Sequence, residues 1–128
     1  MMGSNELNSR RRRKSGSRPL SLKILFDQGV PQPLQTHLVG YEVRRAFQQG
    51  WATKRNGELL ALAEQSGFNL LLTTDQNLRY QQNLTGRSIA LLNLGRGNWP
   101  EIEPHATIIA GIAINMKPGE VRYFSIGE

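Results

Sequence analysis

From Leu22 onward, the apolar positions of the chain switch between two spacings. Leu22-Lys23-Ile24-Leu25-Phe26 is a short apolar run that stops at Asp27, with Gly29 and Pro31 just beyond, which predicts a buried strand and a turn. Pro31 to Leu38 suits a short helix with proline in its first turn. Tyr41 to Phe47 alternates and predicts a second strand, followed by a loop through Gln48, Gln49, Gly50 and Trp51. Asn56 suits an N-cap, and Leu59, Leu60, Leu62 and Ala63 form a helical apolar face that runs to about Ser66 and ends at Gly67. Phe68 to Thr74 predicts a third strand, closed by Asp75, with a short helix around Asn77–Gln82 after it. Ser88 to Leu94 predicts a fourth strand, and 95–98 a loop. Pro100 to Asn115 carries Ile102, Ala106, Ile109 and Ile112 at helical spacing, and Val121 to Ile126 predicts a last strand after the Lys117-Pro118-Gly119 turn.

Short strands alternating with helices define an α/β chain with a mostly parallel central sheet and helices on its faces. In such a unit the carboxyl end of a strand and the amino end of the next helix share one edge of the sheet, and ligands bind beyond that edge. Asp27 and Asp75 each close a strand, and Glu58 falls in the first turn of the helix after the second strand. The three carboxylates are therefore expected on one edge although they are far apart in sequence.

Composition narrows the function classes. The chain of 128 residues suits one domain and has no cysteine, which removes disulfide scaffolds, thiolate metal sites and thiol nucleophiles. No apolar run approaches the roughly 20 residues that cross a bilayer, so no membrane association is expected. The start is polar and arginine-rich rather than a signal peptide, and a cytoplasmic location is expected. The net charge of +6 is unevenly placed. Residues 1–21 hold six basic side chains (Arg10, Arg11, Arg12, Arg13, Lys14 and Arg18) against Glu6 alone, whereas residues 22–128 hold ten basic and nine acidic ones. The expected organisation is a disordered basic tail over 1–21 and a single domain over 22–128. The arginine cluster reads either as a phosphate-binding arm or, more simply, as a solvated extension from an upstream start.

Carboxylates gathered on one edge repel one another and persist where a cation sits between them. Carboxylate oxygens with open water positions suit Mg²⁺ or Mn²⁺, which bind substrate phosphate oxygens and stabilise charge growing on a phosphodiester. Taken singly, Asp27 and Asp75 could instead cap helices, and Glu58 could complement a helix dipole. Lys54, Arg55, Arg79 and Arg96 are expected near the same edge, as phosphate contacts or as solvated loop cations. Asn56 and Asn77 flank the acids and either hydrogen-bond metal-bound water or cap helices. Thr73 or Thr74 either orients Asp75 or fills a strand.

The runs ILFDQGVP, NGELLALAEQSGF and LLLTTDQNL, in that order between Leu22 and Leu94, resemble the PIN-like domain superfamily and in particular its small stand-alone prokaryotic branch. The resemblance implies a three-layer α/β/α sandwich around a parallel sheet. It also implies a metal-dependent endoribonuclease, commonly the toxin of a toxin–antitoxin pair with a cognate antitoxin protein as partner. Carried over by motif, Asp27, Glu58 and Asp75 are the implied catalytic residues and the ligands of Mg²⁺ or Mn²⁺. The chain departs from the family pattern at Asn56, where many relatives carry an acid, and at Asn77, which stands for the second acid of a TxDxDF motif. These amides motivate an alternative, a weakly active or inactive PIN-like module that binds RNA or a protein partner. Phosphohydrolase chemistry on another phosphate ester is a third reading.

The remaining features carry less. His37 and His105 have no ligand-spaced partner, and no nucleophile elbow or P-loop is present. Gly95-Arg96-Gly97 lacks the third glycine of a dinucleotide fingerprint and reads as a turn. Trp51 and Trp99 are expected to stack on bases, to cover the sheet, or to contact a second copy in a homodimer.

Overall fold

A computed structural model of the chain describes residues 22–54, 56–75 and 83–126. The described elements are, in order, β1 (Lys23–Phe26), β2 (Glu42–Arg45), α1 (Asn56–Gln65), β3 (Leu70–Thr73), β4 (Ala90–Asn93), α2 (Trp99–Ile102), α3 (Ala106–Asn115) and β5 (Val121–Tyr123), with short 3₁₀ segments at Gln32–His37, Ala46–Gln49 and Glu103–His105. The strands form one sheet in the order β2-β1-β3-β4-β5, and every neighbouring pair is parallel. The protein has an α/β fold.

The apolar runs explain the all-parallel sheet. Strands of a parallel sheet are covered on both faces, so they carry near-continuous apolar residues rather than strict alternation. β3 and β4 are buried at every position. Ile24, Phe26, Leu70, Leu72, Ala90 and Leu92 join one cluster with Ile102, Ala106, Ile109 and Ala113 from α2 and α3. The intervening Leu25, Leu71 and Leu91 join a second cluster with Leu59, Leu60 and Ala63 from α1. The split follows the two-residue period of a strand, whose successive side chains leave opposite faces.

Every strand is one to three residues shorter than the sequence expectation, and two stretches change course within their expected span. The second strand is Glu42–Arg45 rather than Tyr41–Phe47, because the chain turns into the Ala46–Gln49 3₁₀ segment directly after Arg45. The Gln48 side chain accepts the Arg45 N–H at 2.8 Å and so stabilises that turn. The stretch from Pro100 to Asn115 is not one helix. It divides at Glu103–His105 into α2 and α3, and Pro104 lies within that 3₁₀ segment. Proline has no N–H to continue a helical ladder and crowds the preceding turn. The end of α1 matches expectation: Gly67 takes φ +86°, and the Phe68 N–H closes on the Ala63 carbonyl at 3.0 Å. The helix expected around Asn77–Gln82 and the basic tail over 1–21 lie outside the described residues. Among the described residues no helix is long and apolar enough to cross a membrane.

The amino edge of the sheet is closed by local bonds. Asn69 Oδ1 accepts the Lys23 N–H at 2.8 Å, and Lys23 Nζ reaches the Ser66 carbonyl while lying over the Phe68 ring. Glu64, near the end of α1, receives Arg87 Nε and Nη2 on Oε1 and the Ser88 N–H and hydroxyl on Oε2. These donors, Arg87 foremost, hold the Glu64 carboxyl down at about 2 from an ordinary 4.5. The carboxyl edge is built differently.

Candidate functional site

The strand order reverses between β1 and β3. After β1 the chain adds β2 on one side, then crosses to add β3, β4 and β5 on the other. Where strand order reverses, the loops leaving the two neighbouring strands diverge and leave a crevice beyond their carboxyl ends. Asp27 directly follows β1, and Asp75 lies two residues beyond β3. Both therefore stand at this reversal.

One hydroxyl ties them together. Thr73, fully buried as the last residue of β3, donates from Oγ1 to Asp27 Oδ2 at 2.8 Å and accepts the Asp75 N–H at 3.1 Å. Asp27 Oδ1 accepts the Gln28 N–H at 2.7 Å, and the Asp27 N–H is held by the Leu72 carbonyl at 2.9 Å. The Asp27 carboxylate is thus aimed by contacts on both oxygens, and a carboxylate oxygen keeps lone pairs after accepting one bond. Asn93, at the end of β4 and only 2 % exposed, donates from Nδ2 to the Asp75 carbonyl at 2.8 Å and accepts the Gly95 N–H on Oδ1 at 2.8 Å. Three loops, after β1, β3 and β4, are therefore joined by two buried polar side chains. A half-satisfied polar group buried here would be costly, so the arrangement is stiff.

The loops also touch through glycine. A Cβ at Gly97 would run into the Gly29 carbonyl, and one at Gly29 would overlap the Thr74 hydroxyl. The turn read at Gly95-Arg96-Gly97 is in this respect a packing device that brings the β4 loop onto the β1 loop.

The other expected site residues divide. Glu58 lies in the first turn of α1 but is exposed, and its Oε2 pairs with Lys54 Nζ at 3.3 Å. Arg96 pairs with Glu101 at 3.0 Å. Asn56 begins α1. Arg55, Asn77 and Arg79 lie outside the described residues. The structure thus links the Asp27 carboxylate to the Asp75 backbone N–H through Thr73 and engages Glu58 with a lysine on its own helix entry. His37 packs on Trp99 and His105 on Phe124, while Trp51 meets Phe68 edge-on.

Two functional candidates escaped the sequence reading. Asn93 is one, and its signal was a lone amide closing an otherwise apolar strand. Arg45 is the other, the last residue of β2 and the register partner of Phe26 in β1. Its place at a strand's carboxyl end was hidden, because the strand expected there ran on to Phe47.

Among the described residues no group of three or more His, Cys, Asp or Glu is spaced to hold a metal ion. Two aspartates at one edge nonetheless suit Mg²⁺, which is commonly bound through one or two carboxylates, with waters and substrate phosphate completing its shell. No family model, no curated protein and no solved structure matches the chain.

Proposed function

We propose that the protein is a PIN-like endoribonuclease dependent on Mg²⁺ or Mn²⁺, with its helices and sheet arranged as a three-layer α/β/α sandwich. The observation that supports this reading best is the Thr73 hydroxyl shared by the Asp27 carboxylate and the Asp75 backbone N–H at the point where strand order reverses. A divalent ion held there supplies Lewis-acid stabilisation of the phosphodiester and lowers the pKa of an attacking water. Asp27 and Asp75 hold the ion. Thr73 and Asn93 fix the loops that carry them, so that little reorganisation is needed as charge develops. Glu58 is the third acid of the proposed set. Its pair with Lys54 is an exposed i,i+4 pair, worth about 0–1 kcal/mol in general, and it costs little to exchange for another cation.

The test is cleavage of a single-stranded RNA by the purified protein with Mn²⁺. Cleavage by the parent and its loss in folded Asp27→Asn and Asp75→Asn are expected. A parent that leaves RNA intact in Mn²⁺ refutes the nuclease reading.

A second reading rests on the engagement of Glu58 by Lys54 and the amide at Asn56. With two acids rather than three at the edge, the fold would serve as a module that binds RNA or a protein partner, such as an antitoxin covering the acidic edge, without cutting. Saturable metal-independent RNA binding without cleavage is its signature.

A further inference from the structure

Arg45 is distinguished from the other described arginines by what it lacks. Arg44 pairs with Glu42, Lys54 with Glu58, Arg87 with Glu64, Arg96 with Glu101 and Arg122 with Glu120. Among the described residues Arg45 has no such carboxylate. Its Nη2 donates to the Val30 carbonyl at 3.2 Å, and its guanidinium carbon lies 5.9 Å from the centre of the Phe47 ring. Its Nη1 is shielded from solvent and has no hydrogen-bond partner among the described residues. A charged donor in that state marks a place where an acceptor is missing.

Arg45 lines a cavity of about 420 Å³ together with Gln28, Gln32, Ala46 and Phe47. Gln28, in the cavity lining, adjoins Asp27 in sequence and donates its N–H to that carboxylate, which places one wall of the cavity beside the Asp27 loop. Phe47 is 52 % exposed, which leaves ring area available to a ligand. A guanidinium with one unpartnered nitrogen beside an open aromatic face, with two exposed amide side chains in the same lining, has the chemistry of a single nucleotide site. Guanidinium groups bind phosphate oxygens in pairs, and aromatic faces accept any base by stacking.

We propose that this cavity seats one nucleotide of a single-stranded RNA adjacent to the acidic edge. Its phosphate lies on Arg45, its base on Phe47, and the Gln28 and Gln32 amides reach its polar edges. A phosphate oxygen supplies the acceptor that Nη1 lacks, as the exposed Phe47 ring moves onto the base. The inference rests on the reading that RNA is the ligand of this edge, but it concerns binding and needs neither cleavage nor a metal ion.

The test is fluorescence anisotropy of a labelled oligouridylate with the full chain in EDTA, where no cutting occurs. Each variant is compared with the parent so that any contribution of residues 1–21 cancels. Arg45→Ala and Phe47→Ala are each expected to weaken binding by about tenfold or more, and Arg45→Lys, which keeps the charge but loses the fork, by less than Arg45→Ala. Thermal melts report folding, and if Arg45→Ala does not fold, Phe47→Ala and Gln32→Ala, both at exposed positions, decide the matter. Parent-like affinity in the folded variants, or no binding by the parent, overturns the proposal. Cleavage in Mn²⁺ is scored separately. Arg45-dependent binding without any cleavage removes the nuclease reading and keeps the cavity, whereas cleavage with Arg45-independent binding does the reverse.

Discussion

Replacing Thr73 by valine keeps a buried β-branched side chain of nearly the same shape and removes one hydroxyl. In the structure that hydroxyl makes a bond to the Asp27 carboxylate at 2.8 Å and accepts the Asp75 N–H at 3.1 Å. A hydrogen bond to a charged group contributes about 1.5–3 kcal/mol, and a donor left unpaired inside a protein costs about 1–3 kcal/mol. Asp27 is half-buried, so water takes back part of the first loss. The expected destabilisation is therefore about 2–3 kcal/mol, less than the simple sum. Urea denaturation measures it as a fall in midpoint at unchanged slope, because the surface exposed on unfolding is the same. The loss of aim at Asp27 should also reduce the rise in Tm expected with Mn²⁺ on the proposed site, since an ion that binds only the folded state stabilises it by RT ln(1 + [L]/Kd). Thr73→Ser restores the hydroxyl and should recover the Mn²⁺ response, while paying about 1 kcal/mol for the lost methyl. A Thr73→Val protein within about 0.5 kcal/mol of the parent, a change typical of inconsequential surface substitutions, would refute the claim that this hydroxyl organises the edge.

Three further outcomes follow from other parts of the molecule. Glu64→Gln places an amide NH₂ or a neutral oxygen where Arg87 and Ser88 offer donors to a carboxylate, so a loss of about 1–2 kcal/mol at neutral pH is expected by denaturation. The folded carboxyl, held near 2, lies below its unfolded value of 4.5, so its contribution is complete above pH 4.5 and fades as pH falls toward 2. The parent's stability should therefore drop more steeply than that of Glu64→Gln across that window, and parallel curves would contradict the assignment. Gly97→Ala drives a methyl into the Gly29 backbone carbonyl and should cost about 1–3 kcal/mol. Gly29→Ala meets only the Thr74 side chain, which can rotate, and should cost less; the two midpoints compared in urea decide the order.

Much of the fold was legible because burial on both faces leaves a strong mark. LKILF, NLLLT and IALLN are too apolar for one-sided strands, and their brevity distinguishes them from helices. The strand-closing acids were legible for the same reason, since a charge ending such a run must stand at the sheet's edge. The break at Pro104 was also present in the sequence, but the apolar spacing from Ile102 to Ile112 runs through it, and periodicity alone does not register a missing N–H. The engagement of Glu58 by Lys54 was not legible, because an exposed glutamate can turn to several partners and only coordinates show which one it meets. Nor were the contacts among Gly29, Thr74 and Gly97, which join residues far apart in the chain at positions where two of the three have no side chain to signal the approach.

The central claim is that Asp27 and Asp75 form one cation site. Titration of the apo protein with Mn²⁺, with the free ion followed by its electron paramagnetic resonance signal, tests it without any assumption about substrate. Saturable binding of one ion per chain is expected, lost in folded Asp27→Asn and Asp75→Asn and only weakened in Glu58→Gln. Binding that stays unsaturated in the parent, or that survives both aspartate substitutions, would contradict it.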